Sequence, residues 1–145
     1  MSGLNPEIYK KIETPLTHKL CKDQANYFGA IFNNEFAKCN LIEDASFKNK
    51  CATELAVLNG DTKICLQTTE NYQNICYETF ALSRLDLETC NNIKPIAEIT
   101  KLQAEALKDE CFGLLAISRN FGEKPCNMII NPQKREGCLK LFENE

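Results

Sequence analysis

The chain has 145 residues, an ordinary single-domain length that can bury a core without external help. Its 17 Lys+Arg against 20 Asp+Glu give a net charge of −3 with no basic stripe, which argues against a nucleic-acid partner. The longest apolar runs, such as Leu114-Leu115-Ala116-Ile117, are far too short to span a bilayer, and Met1–Lys11 lacks the apolar centre of a signal peptide.

Nine cysteines divide the chain into five helical hairpins, at approximately 5–33, 34–60, 61–85, 86–121 and 122–145. The first is degenerate. Asn5-Pro6 offers a cap and first helical position, Tyr9-Lys-Lys-Ile12 stands where the later hairpins have a cysteine, and Cys21 takes the second-cysteine place. In the second hairpin, Cys39-Asn-Leu-Ile42 is followed by Cys51 with Leu55-Ala56, and Asn59-Gly60-Asp61 ends one helix and caps the next. The third runs from the Asp61 cap through Cys65-Leu-Gln-Thr68 to Cys76 with Phe80-Ala81. Its Tyr72, Ile75, Cys76, Thr79 and Phe80 follow the helical period.

In the fourth hairpin, Asp86 caps Cys90-Asn-Asn-Ile93, and Cys111 precedes Leu115-Ala116. An insertion, Lys94–Gln103, separates the two, and its Thr100-Lys-Leu-Gln103 reads as a capping box that restarts a helix. The fifth holds Cys126-Asn-Met-Ile129 and Cys138, with Asn131-Pro132 breaking the chain at the turn. Two-residue alternation is not sustained anywhere, so the expected fold is all-α: an array or compact stack of about five short hairpins forming one domain over 1–145.

Helix geometry selects the cysteine pairing. In the third hairpin, Cys65 and Cys76 lie about five residues either side of the turn, at similar heights on antiparallel helices. Joining successive hairpins instead, as in Cys51 to Cys65, leaves a mismatch of about 6 Å. The expected pairs are therefore Cys39–Cys51, Cys65–Cys76, Cys90–Cys111 and Cys126–Cys138, with Cys21 a free thiol. Persisting disulfides imply an extracytoplasmic setting, or alternatively a hyperthermophile's cytoplasm.

Two other readings of the cysteines stay open: inert reduced thiols, and a thiol-based metal-binding (Cu(I) or Zn) or redox protein. Neighbouring cysteines lie too far apart for the usual Cys-x2–4-Cys zinc spacing. Cys21 is also a candidate for a bridge between two chains, and His18 lies three residues before it. Phosphate-binding, nucleophile-elbow and His-Glu-x-x-His motifs are missing, so neither enzyme activity nor a cofactor is expected.

From about Asn5 onward, the Cys-Asn-x-Ile and Cys-x3-Leu/Phe-Ala pattern resembles cysteine-paired helical repeats of archaeal and small-genome bacterial envelope proteins. In general plan it is also similar to disulfide-bridged Sel1-like and TPR-like arrays, although its period of about 26 is shorter and their Gly/Tyr signatures are absent. Neither resemblance supplies a functional residue. The expected function is a non-catalytic protein-interaction or structural module that binds another protein. Pro95, Ile96 and Ile99 of the insertion are the candidate contact residues.

Overall fold

The computed structural model describes residues 15–143. Tyr9 and the Asn5-Pro6 start lie outside the described residues. The chain is mostly helical: α1 (Pro15–Asn33), α2 (Phe36–Cys39), α3 (Ala45–Asn59), α4 (Glu70–Arg84), α5 (Lys101–Ile117), α6 (Lys124–Met128) and α7 (Pro132–Leu139). Two 3-10 segments, Thr62–Gln67 and Leu87–Asn92, precede α4 and the insertion. No β-strand occurs among the described residues; Ile96 and Ile99 make an isolated antiparallel bridge.

Local chemistry starts and stops these helices. The Asp44 side chain accepts the Phe47 N–H at the start of α3, and Thr100 with Gln103 forms the complete capping box of α5. At α7, Asn131 accepts the N–H groups of Gln133 and Lys134 while Pro132 occupies the first turn. The far ends of α1, α3 and α4 share one device. Gly60, Asn34 and Leu85 adopt left-handed conformations with φ of 64°, 55° and 52°. The next residues, Asp61, Glu35 and Asp86, then donate their N–H groups to the carbonyls of Ala56, Ala30 and Ala81. Each of these three alanines is fully buried, so the chain reverses against the core.

The segments carrying the first cysteine of each pair are shorter than true helical arms. Each makes little more than a turn before the third residue after the cysteine bonds back to its carbonyl: Ile42 to Cys39, Thr68 to Cys65, Ile93 to Cys90 and Ile129 to Cys126. Runs this short take the tighter 3-10 form readily. Before α6, Gly122 adopts a left-handed turn (φ 55°), and Glu123 precedes the helix without a side-chain cap.

The core follows the chain. One buried cluster groups Tyr27, Ala30, Cys39, Ile42, Cys51 and Leu55, and another runs from Ala56 and Cys65 to Cys126, Ile129 and Cys138. Ile64 packs against both and makes the apolar interior continuous. The Leu/Phe-Ala pairs after Cys51, Cys76 and Cys111 all lie inside it.

Candidate functional site: cysteine pairs, buried staples and apolar grooves

Four cysteine pairs lie at disulfide distance: Cys39–Cys51, Cys65–Cys76, Cys90–Cys111 and Cys126–Cys138, with Cα–Cα separations of 5.7, 5.6, 5.9 and 5.4 Å. Each ties a short arm to the helix that follows. Seven of the eight sulfur-bearing residues are wholly buried, and Cys138 is 8% exposed. Cys21 is free and half-buried. Among the described residues no group of three or more His, Cys, Asp or Glu side chains is arranged to bind an ion.

A second recurring device escaped the sequence reading. Two residues before the second cysteine stands a buried Asx side chain: Asn49, Asn74 and Asp109. Each reaches forward about twenty residues along the chain, to the segment that follows the next cysteine-bearing turn. Asn49 accepts the Thr69 N–H at 3.0 Å and donates to the Thr69 hydroxyl at 2.9 Å. Asn74 accepts the Lys94 N–H at 3.1 Å and donates to the Lys94 carbonyl at 2.8 Å. Asp109 accepts from the N–H groups of Ile130 and Asn131. In α1, Asp23 does the same with Glu43 and Asp44, at 2.9 and 3.0 Å. The available signal was the recurrence of Asn or Asp at a fixed offset from cysteine.

Asp23 gives α1 a different register from the one that Cys21 suggests. Counting forward from it as from Asn49, the second-cysteine position is Ala25, not Cys21, and the buried alanine is Ala30. The His18–Cys21 neighbourhood thus lies outside the recurring frame. Tyr27 helps to fix α1 to α3: its hydroxyl donates to Glu54, its ring stacks on Phe47, and the Lys50 ammonium sits 5.6 Å from the ring centroid. Burial, and secondarily Glu54, pushes the Tyr27 phenol well above its ordinary range.

In the insertion, Pro95 is exposed, but Ile96 is only 9% exposed and Ile99 is half-buried. Their mutual backbone hydrogen bonds, at 3.2 and 3.0 Å, fold the loop so that Ile96 faces the core. Ile96 therefore contributes packing rather than a contact surface, which corrects that expectation. The apolar surface lies next door. Leu102 on α5 is 76% exposed and Ile130 is 45% exposed, and with Ala106 and Pro132 they line a shallow groove of about 240 Å³ over Asp109. Ile99 and Leu107 border an adjoining depression that shares Ala106 and Lys134 with it.

The same groove recurs at the other end of the chain. Leu16, Lys19, Leu20 and Asp23 of α1 stand at the positions that Leu102, Glu105, Ala106 and Asp109 hold in α5. With Asp44 and Phe47 they line a groove of about 410 Å³. Both long helices start a turn earlier relative to their Asx than α3 and α4 do, and that extra turn carries the leucine that lines each groove.

No protein-family model, curated protein or solved structure matches this chain.

Proposed function

We propose that the chain is a disulfide-stapled array of five helical hairpins, serving as a non-catalytic protein-interaction or structural module of an extracytoplasmic protein. The observation that carries this reading is the overhanging leucine groove built twice, at Leu16/Leu20 and at Leu102/Ile130. Exposed apolar side chains gathered over a rigid floor are the usual form of a contact surface. The four buried cysteine pairs support an oxidising setting. No helix among the described residues is long and apolar enough to cross a membrane. The recurring Asx staples support the hairpin array, because each joins one hairpin to the next.

The test is affinity capture on the native extracytoplasmic fraction, comparing the wild-type chain with a Leu102→Ser/Ile130→Ser variant. A partner recovered with the first and lost with the second, at unchanged helicity, is the expected result. Equal recovery with both removes the groove from the account.

A further inference from the structure

Between the Thr62–Gln67 and Leu87–Asn92 segments lies a concave pocket of about 420 Å³, on a different set of residues from the leucine grooves. Lys63, Lys94 and Tyr77 contribute to its wall, together with Thr62, Asn91 and Asn92. Both lysines stand on fixed backbone. Lys94 is held through its N–H and its carbonyl by the buried Asn74, and the Lys63 N–H is held at 2.9 Å by the Asp61 cap. No ion pair engages Lys63 or Lys94 among the described residues, and the same holds for Lys48, Lys108 and Lys134; what sets Lys63 and Lys94 apart is that they share one pocket wall. The Glu88 carboxylate bonds the Asn91 amide and lies 4.0 Å from Lys124.

Tyr77 supplies an independent sign. It is only 6% exposed, and its hydroxyl has no hydrogen-bond partner among the described residues. No fully enclosed side-chain oxygen lacks a partner, so this hydroxyl keeps some access to solvent, and Tyr77 is one of the residues that line the pocket. Burial raises its pKa, which keeps the phenol a neutral donor. The neighbouring joints lack the combination. The positions of Lys63, Tyr77 and Lys94 are taken by Glu88, Phe112 and Ile130 at the following joint, and by Ala37, Ala52 and Thr69 at the preceding one.

We propose that this pocket binds the phosphate group of a small ligand, free or esterified, between the Lys63 and Lys94 ammoniums, with the Tyr77 hydroxyl as third donor. A dianion with three terminal oxygens matches two point charges and a neutral donor better than a carboxylate does. Leu66 leaves an apolar wall for whatever the phosphate is attached to.

The experiment is titration of the intact, oxidised protein with inorganic phosphate, phenyl phosphate and acetate at low ionic strength and pH 7.5, followed by amide chemical shifts. Saturable shifts at Lys63, Asn92 and Lys94 with at least one phosphate probe, and none with acetate, are expected. Lys63→Gln/Lys94→Gln should weaken binding at least tenfold and Tyr77→Phe several-fold, each with an unchanged fold and disulfide map. Tighter binding of phenyl phosphate assigns an esterified ligand, and equal binding assigns the free ion. No saturation by about 10 mM of either phosphate probe, equal binding of acetate, or undiminished binding in the double variant would overturn the proposal.

Discussion

The carboxylate of Asp109 accepts the backbone N–H of Ile130 at 2.6 Å, with its other oxygen taking the N–H of Asn131 at 3.0 Å. Both partners are donors, and the residue is Asp. At Asn49 and Asn74 one partner is a donor and the other an acceptor, and the residue is Asn. The choice between acid and amide thus follows the hydrogen-bond inventory of the turn that each side chain must hold.

Asp109→Asn places an amide N–H₂ against a backbone N–H, and Asn74→Asp places a carboxylate against the Lys94 carbonyl. Each should lower stability by about 1–3 kcal/mol, the cost of a buried polar group left mismatched. Denaturant midpoints of the two variants check this. An unchanged midpoint for either removes the staple from the account.

Leu85 holds with a side chain, at φ 52°, the left-handed position that Gly60 holds without one. Leu85→Gly relieves that strain and should leave stability unchanged or raise it by up to about 1 kcal/mol. Gly60→Ala should lower it by about 1–2 kcal/mol, since its Cβ would also stand 3.2 Å from the Arg84 guanidinium. Thermal melts of the pair should therefore move in opposite directions, or only the second should move.

The helices, their caps and the cysteine frame were legible because each rests on a local pattern: Thr100 with Gln103, Asn131-Pro132, and a fixed cysteine offset. The staples were not recognised because each connects residues about twenty apart, and a polar residue on a helix normally reads as solvent-facing. Ile96 was misjudged for a related reason. Sequence marks it as an apolar residue in a loop, but only its bridge to Ile99 turns it inward. Cys21 suggests a register by residue type alone, whereas Asp23, whose hydrogen bonds to Glu43 and Asp44 set it, looks in sequence like any polar residue on a helix.

Glu78 is half-buried, and burial, then the nearby Glu110 charge, raises its pKa. A carboxyl whose folded pKa exceeds its unfolded value destabilises the fold when ionised. Its contribution therefore improves as pH falls through the raised folded pKa toward the ordinary carboxylate range. Glu78→Gln should raise the melting temperature at pH 7, with the gain fading as pH drops through that window. A gain that persists or grows at pH 4 contradicts this.

The cysteine pairs close loops of different length, with sequence separations of 21 for Cys90–Cys111 and 11 for Cys65–Cys76. In the chain-entropy account the longer loop contributes about 0.6 kcal/mol more. Paired Cys→Ser variants of the two, compared by denaturant unfolding, should show that ordering.

The most direct test of the whole account is intact mass after thiol alkylation under denaturing conditions, on protein purified without reductant. One alkylated cysteine per chain, mapped to Cys21, is the result expected of four stapled pairs in an oxidising home. Nine alkylated cysteines would contradict it.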